Sequence, residues 1–175
     1  MFAFFGHPGA GKTTLCRRFG ELNGIPAVDT DVFMTAAERE AVEAGRYTAA
    51  MRLANIGRYC ENIRSLMETS PEVALADGLP NEASRSFLRD QLPGASVVLV
   101  LVETPRPLWE ERLSARAANA VDVGVARADQ YIREHWEDSR PAFEHETIEN
   151  GPDSEEIDAA LRALYRRHTD LGPRR

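Results

Sequence analysis

The residues best suited to chemistry in this chain lie in one short, glycine-rich segment near its beginning. They are Gly6, His7, Pro8, Gly9, Ala10, Gly11, Lys12, Thr13 and Thr14. Residues 6–13 match the pattern G-x-x-x-x-G-K-[S/T], in which backbone N–H groups wrap a phosphate chain at a helix start. Lys12 would supply a cation to the β- and γ-phosphates, and the Thr13 hydroxyl would coordinate Mg²⁺. The alternative is a glycine-rich turn that binds nothing, but a strand is expected before the segment and a helix after it, which favours a phosphate site.

Two carboxylates, Asp29 and Asp31, lie at the end of the second predicted strand. Phosphoryl transfer to a hydroxyl needs a group that orients the hydroxyl and takes its proton, and Asp31 is the candidate. Asp29 would help to hold the substrate or a water on Mg²⁺. The alternative for Asp31 is a carboxylate that stabilises a helix start through the helix dipole.

A third carboxylate, Asp77, ends the third predicted strand and precedes Gly78. An acidic residue at this place normally orients the Mg²⁺ shell next to the loop threonine, so Asp77 and Thr13 form the predicted metal site. The alternative is an aspartate that forms a turn before glycine. The position at the end of a strand favours the metal role, because the ligands of open α/β sheets bind at the carboxyl ends of the strands.

Two pairs of polar residues on predicted helices are further candidates. Arg112 and Arg116 are four residues apart, so they share a helix face, and they precede a short loop at 119–126. Such arginines can reach a moving phosphoryl group when a lid closes. Arg52 and Asn55 are three residues apart on a long middle helix, where Arg52 would suit an anionic substrate. For each pair the alternative is a solvated helix face.

The elements that must position these residues alternate between strands and helices. Apolar runs predict strands at 1–5, 25–29, 73–77, 96–102 and 147–149. Periodicity, caps and breakers predict helices at 13–22, 35–45, 48–70, 82–92, 104–118 and 127–143, and a last helix after a turn at 150–153. This alternation predicts an α/β fold with a parallel, doubly wound sheet. Trp109, Trp136 and Tyr131 are expected to pack rather than to form an aromatic platform.

Composition narrows the classes of partner. The chain has 175 residues, which indicates one domain, and its net charge is −7. This acidic balance argues against a broad nucleic-acid or anionic-membrane surface. No apolar run approaches the roughly 20 residues that span a bilayer, and no signal-peptide pattern is seen. Cys16 and Cys60 lack metal-site spacing and are expected to be buried, reduced thiols of a cytoplasmic protein.

The order of these features resembles the small P-loop kinases: nucleoside monophosphate kinases, shikimate kinase, gluconate kinase and adenylylsulfate kinase. Residues 9–14, followed by Asp29-Thr30-Asp31, are most similar to shikimate kinase, where the second aspartate contacts the substrate and serves as base. Phe33 and the segment Arg52-x-x-Asn55-Ile56 resemble the substrate region of adenylylsulfate kinase.

Other segments resemble adenylate kinases. Asp77-Gly78-Leu79-Pro80 resembles their Asp-Gly-Phe-Pro turn, and residues 111–116 resemble the arginine-bearing helix before their lid. Asn150 and Gly151 lie where these kinases hold adenine with a loop backbone. Asn81 stands where an arginine of adenylate kinases grips the acceptor phosphate, which weakens AMP as the acceptor. The triple-glycine turn that packs on shikimate is also absent.

The resemblance implies a three-layer P-loop NTPase fold, with a five-stranded parallel sheet and helices on both faces. One domain would cover 1–175, with a helical substrate-binding insert at about 32–70 and a short lid at about 115–127. The expected function is that of a monomeric or homodimeric kinase that uses ATP and Mg²⁺ to phosphorylate a hydroxyl of a small, anionic metabolite. The alternatives are a nucleoside monophosphate kinase and, in another class, an ATP-binding switch or interaction protein with little turnover.

Overall fold

The computed structural model describes residues 1–118, 142 and 144–169, with the side chains of 116–118 left aside. Several predictions therefore lie outside the described residues: the loop at 119–126, all but one residue of the helix at 127–143, the packing of Tyr131 and Trp136, and most of the lid at 115–127. The side chain of Arg116 lies outside them as well. None of the described helices is long and apolar enough to cross a membrane.

A five-stranded parallel sheet forms the centre of the described part. Its strands are β1 Phe2–Phe5, β2 Ala27–Asp29, β3 Ala74–Ala76, β4 Val98–Glu103 and β5 Glu146–Glu149, and they lie in the order β2-β3-β1-β4-β5. All four strand pairings are parallel. The predicted sheet is confirmed, and the segments that follow β1, β2 and β3 meet at one edge because parallel strands share a direction.

Seven helical segments surround the sheet in the described residues. They are α1 Lys12–Asn23, a 3₁₀ helix Thr30–Phe33, α2 Ala36–Glu43, α3 Ala49–Met67, α4 Glu82–Asp90, α5 Arg106–Ala118 and α6 Ser154–Thr169. Local signals set several ends. Thr35 and Glu38 form a capping box at the start of α2, and the Thr48 hydroxyl accepts from the Met51 N–H at the start of α3.

Two apolar clusters cover the two faces of the sheet, as expected for three layers. Side chains of β1 alternate between them: Phe5 joins Tyr59 and Leu88 on one face, and Phe4 joins Phe19 on the other. α3 and α4 cover the first face, and α1 and α6 cover the second. Cys16 and Cys60 are buried free thiols in separate clusters, as predicted, and burial raises the pKa of each to about 12.

The predicted boundaries of β4 differ from the observed ones for a tertiary reason. The apolar run predicts a strand at 96–102, whereas β4 spans Val98–Glu103. Val98 pairs with Phe2, the first residue of β1, so Ser96 and Val97 have no partner in β1. At the other end Glu103 pairs with Glu149 of β5. The length of this strand is set by its neighbours rather than by its own apolar residues.

Candidate functional site

The glycine-rich segment forms a tight loop between β1 and α1, as predicted. Gly11 precedes α1 with φ +89°, in the left-handed region that favours glycine. A Cβ atom at Gly11 would lie 2.2 Å from Asn150 Nδ2, and one at Gly6 would lie 2.6 Å from the Val102 carbonyl oxygen. The loop is therefore a close-fitting backbone cradle that admits no side chain at these two positions.

Side chains outside the loop bind its carbonyl groups. Trp109 Nε1 donates to the Pro8 carbonyl at 2.7 Å. The Ala10 carbonyl accepts from Asn150 Nδ2 at 2.7 Å and from Thr104 Oγ1 at 2.9 Å. Because the Pro8 and Ala10 carbonyls are bound by these side chains, the backbone N–H groups of the loop can point toward an anion, as in other phosphate-binding nests.

Lys12 lies across the loop, where its Nζ donates to the His7 carbonyl at 3.0 Å. Burial lowers the pKa of His7, and the positive charge of Lys12 lowers it further. His7 is therefore neutral at pH 7, so the charge available to a phosphate chain here comes from Lys12.

Arg112 of α5 adds a second cation to the loop. Its Nη1 lies 3.7 Å from the position that a Cβ of Gly11 would take. This atom is buried and has no hydrogen-bond partner among the described residues. A buried guanidinium N–H normally has an acceptor, and phosphate oxygens suit the arginine fork. The orphaned donor and the glycine cradle together fit the phosphate chain of a nucleotide.

Three carboxylates meet at the same edge of the sheet. Asp29 Oδ1 accepts from the Asp31 N–H at 3.3 Å and so caps the 3₁₀ helix, and Asp29 lies 3.6 Å from Arg17. Asp31 itself is exposed at the edge. Partial desolvation raises its pKa, the charges of Asp29 and Asp77 raise it further, and Lys12 opposes the shift. The predicted base therefore lies within electrostatic reach of the phosphate loop.

Asp77 is held by two donors at the end of β3. Tyr59 Oη donates to its Oδ2 at 2.6 Å, and the Gly78 N–H donates to its Oδ1. No cluster of three or more metal-ligating His, Cys, Asp or Glu side chains occurs in the described part of the chain. Mg²⁺ in kinases needs no such cage, since one or two carboxylates or hydroxyls and the substrate phosphates supply its ligands. The predicted pair Thr13 and Asp77 fits this limited donor set.

Arg52 lies close to the turn that follows Asp77. Its guanidinium lies 5.1 Å from the centre of the Tyr47 ring, in cation–π geometry. Its Nη1 lies 3.5 Å from the position that a Cβ of Gly78 would take. Two residues of the predicted substrate set, Arg52 and Gly78, are thus brought together.

Phe33 and Asn55 lie deeper, in a polar network around Arg58. Arg58 Nη1 donates to the Phe33 carbonyl at 2.9 Å and to Asn55 Oδ1 at 3.1 Å. Asn55 is buried, and the Phe33 ring lies 6.5 Å from that of Tyr59. These contacts anchor both residues beside the carboxylate edge, while a direct contact of either with substrate stays a prediction.

A sequence comparison identifies the family. A family described as an AAA domain, AAA_33, matches residues 1–143.

This chain belongs to the AAA_33 family.

Two relatives match the AAA_33 chain over part of their length. An adenylate kinase of Thermotoga petrophila is 32% identical over 129 residues, which are 65% of this chain and 56% of the relative. A UPF0200 protein of Thermococcus onnurineus is 29% identical over 122 residues, 63% of this chain and 65% of the relative. The chain therefore spans less than two thirds of either relative.

Solved structures share the fold of this AAA_33 chain along most of its length. A gluconokinase from Sinorhizobium meliloti 1021 is 21% identical with a TM-score of 0.74, over 97% of this chain and 94% of that one. An APS kinase from Mycobacterium tuberculosis is 18% identical with a TM-score of 0.62, over 94% of both. A shikimate kinase from Acinetobacter baumannii is 18% identical with a TM-score of 0.57, over 95% and 91%. These likenesses confirm the predicted fold. Together with the family match and the relative named an adenylate kinase, they bear out the resemblance to small P-loop kinases.

Several residues of the AAA_33 site were missed by reasoning from sequence. Tyr59 sits in an apolar helix stripe and carries no signal for its bond to Asp77. Thr104 and Trp109 contact the loop although they follow it by about a hundred residues. The sequence places Asn150 and Gly151 where a loop backbone would hold adenine, but it gives no signal that the Asn150 side chain binds the Ala10 carbonyl or that its N–H donates to the Glu103 carbonyl at 2.7 Å. An adenine contact through the backbone of Asn150 and Gly151 stays a prediction.

Proposed function

We propose that this chain is a kinase that transfers the γ-phosphoryl group of ATP to a hydroxyl of a small, anionic metabolite. The proposal rests on one observation: the phosphate loop and the exposed carboxylate of Asp31 lie at the same edge of the sheet. The electrostatic interactions of Asp31 reach Lys12 of the loop. Transfer of a phosphoryl group to a hydroxyl requires a positively charged phosphate site and, near it, a base that the acceptor can reach from solvent.

Each residue has a role that follows from its position. Asp31 orients the acceptor hydroxyl and takes its proton, and the raised pKa strengthens it as a base compared with an ordinary aspartate. Lys12 and Arg112, with Arg116 as predicted, stabilise the charge on the transferred group. Thr13 and Asp77 would hold Mg²⁺, which when bound neutralises phosphate charge. Arg52, beside Gly78, would bind the anionic part of the acceptor.

A nucleoside monophosphate kinase is the second candidate, because the relative from Thermotoga petrophila is named an adenylate kinase. The turn after β3 argues against it. Asn81 caps α4 by accepting from the Ser84 N–H at 3.0 Å, and as an uncharged residue it supplies no cation of its own to an acceptor phosphate. An ATP-binding switch is a third candidate, and the proximity of Asp31 to the loop disfavours it. A cytoplasmic, monomeric or homodimeric state stays a prediction from the sequence.

An acceptor screen tests the proposal. The chain would be incubated with ATP, Mg²⁺ and matched pairs of acceptors, such as sugar acids beside the neutral sugars, together with nucleoside monophosphates. Lys12→Ala protein prepared in the same way would correct for contaminating activity. We expect ADP formation that depends on a hydroxylated anion. Turnover with a nucleoside monophosphate would establish the second candidate instead, and ATP binding without a phosphorylated product would favour the switch.

A further inference from the structure

Three side chains from outside the phosphate loop form what we call the outer clamp: Thr104, Trp109 and Asn150. They come from the β4–α5 connection, from α5 and from the segment after β5. Trp109 donates to the Pro8 carbonyl at 2.7 Å, and Thr104 and Asn150 donate to the Ala10 carbonyl at 2.9 and 2.7 Å. Two loop carbonyls thus receive three side-chain hydrogen bonds.

The geometry of the peptide bond gives these contacts a consequence for ligand binding. In a trans peptide the C=O and the N–H of the next residue point in opposite directions in one plane. Because the Pro8 carbonyl is held on the outer side of the loop, the Gly9 N–H points to the inside. The Ala10 carbonyl orients the Gly11 N–H in the same way. No hydrogen bond within the described residues uses either N–H. Both are donors that a phosphate oxygen could satisfy.

One face of α5 ties this clamp to the cation of the site. Trp109, Arg112 and Leu113 are spaced at i, i+3 and i+4, so they share a face. A Cβ at Gly9 would lie 2.8 Å from Leu113 Cδ2 and 3.3 Å from Trp109 Nε1, and one at Gly11 would lie 3.7 Å from Arg112 Nη1. Trp109 of the clamp and the Arg112 guanidinium that would meet the phosphate are therefore carried by the same helix.

We propose that Thr104 and Trp109 are positioning residues that set the affinity for nucleotide phosphates by orienting the Gly9 and Gly11 amides from outside the loop. The inference rests on the proposed use of this loop for a nucleotide. Because neither side chain need touch the nucleotide phosphates, the expected signature is a loss of nucleotide affinity without a comparable loss in handling the acceptor.

The test measures the dissociation constant for ADP with Mg²⁺ by calorimetry in the full chain. Thr104→Val and Trp109→Phe each remove one donor and keep most of the side-chain volume. We expect each to weaken ADP binding about 3- to 10-fold, as for the loss of one neutral hydrogen bond. Thr104→Ser keeps the hydroxyl and should restore affinity. Tyr165→Phe is the matched control, since it removes a hydroxyl that binds Glu72 at the opposite edge of the sheet.

Thermal unfolding separates positioning from a merely structural role. Unchanged ADP affinity in both variants, with only a lower melting temperature, would overturn the inference, as would a Thr104→Ser variant as weak as Thr104→Val. An equal loss in Tyr165→Phe would also overturn it. A wild-type chain that binds ADP but phosphorylates no acceptor would contradict the proposed kinase function. The comparison of ADP affinities among the variants would then still test whether the outer clamp orients the loop amides. A wild-type chain that binds no ADP would contradict both.

Discussion

At the scale of single residues, the chemistry of the Asp31 carboxyl depends on groups that are distant in sequence. Asp29 is two residues away, but Asp77 directly follows β3 and Lys12 begins α1. Partial desolvation and the two negative charges raise the pKa of Asp31, whereas Lys12 and Arg39 lower it. The position of the carboxylate after a strand was predictable from sequence. The direction of its pKa shift was not, because it depends on charges that only the folded chain brings together.

Replacement of Asp31 by asparagine tests its role as base. Asp31→Asn keeps the size of the side chain but cannot take a proton, so we expect turnover to fall roughly 100-fold or more. ADP binding should be unchanged, because the phosphate loop is untouched. Asp90→Asn, at the exposed end of α4, is the matched control and should keep full turnover. Near-normal turnover in Asp31→Asn would remove this residue from the mechanism.

The same substitution has a predicted effect on stability. A carboxyl whose folded pKa is raised binds protons more tightly in the folded state, so its ionisation destabilises the fold as pH rises through that pKa. Without divalent cations, Asp31→Asn should therefore melt at a higher temperature than the wild-type chain at pH 7. The gain should disappear below the ordinary aspartate pKa of about 4. Melting curves across this range check it, and a lower melting temperature at pH 7 would contradict the electrostatic account.

At the scale of elements, α2 and α3 are joined by an ion pair that the sequence did not reveal. Glu38 completes the capping box of α2, and its carboxylate also pairs with Arg58 of α3 at 3.0 and 3.1 Å. Although burial disfavours the charge, hydrogen bonds from Arg58 and Thr35 hold the pKa of Glu38 below its ordinary value. The capping box was predictable from residue spacing, because it is local. The pairing with Arg58, 20 residues away, required the packed structure.

Removal of Arg58 should loosen the contact between α2 and α3, which lie in the predicted substrate-binding insert. Arg58→Ala leaves the buried Glu38 carboxylate without its cation, and we expect a loss of about 2 kcal/mol in the free energy of unfolding. That estimate is reduced from the value for fully buried pairs, because the Arg58 side chain is 36% exposed. Arg46→Ala is the matched control, since Arg46 and Glu40 form an exposed pair at 3.8 Å and should contribute less than about 0.5 kcal/mol.

Urea unfolding curves of both variants would measure the difference. Because the folded pKa of Glu38 is lowered, the contribution of the pair is present above the ordinary glutamate pKa and is lost as pH falls through the folded value. Equal losses in Arg58→Ala and Arg46→Ala at pH 7 would show that the network adds nothing beyond a surface pair.

At the scale of the whole molecule, the phosphate loop is held by segments from most of the chain. Only glycine fits at position 11, because a Cβ there would come within 2.2 Å of the Asn150 amide. A ligand that binds only the folded loop stabilises the entire fold by mass action. At a concentration one hundred times its dissociation constant, ADP with Mg²⁺ should raise the melting temperature by about 5–10 °C.

Two glycine substitutions make this prediction specific to the loop. Gly11→Ala should lose the ADP-induced rise, because the left-handed conformation and the Asn150 contact both exclude the added methyl group. Gly57→Ala lies in α3 with open space around its Cβ position, so it should keep the full rise and gain a little stability. An equal ADP-induced rise in both variants would show that nucleotide binds elsewhere.

The sequence by itself determined the phosphate loop, the alternation of strands and helices, and the carboxylates at strand ends. These features were predictable because glycine conformations, helix caps and apolar periodicity act between residues a few positions apart. The lengths of strands were less predictable, as β4 shows, because each strand ends where its neighbours stop pairing.

The tertiary structure alone decided which side chains meet around the loop. Trp109 is 101 residues from Pro8, and Asn150 is 140 residues from Ala10. Their contacts depend on the strand order β2-β3-β1-β4-β5, which places β4 beside β1. The bonds from Tyr59 to Asp77 and from Arg58 to Glu38 arise in the same way, because packing brings α3 against the residue that follows β3 and against α2. A phosphate loop could thus be found from its own residues, whereas the groups that hold it and set its chemistry required the packed fold.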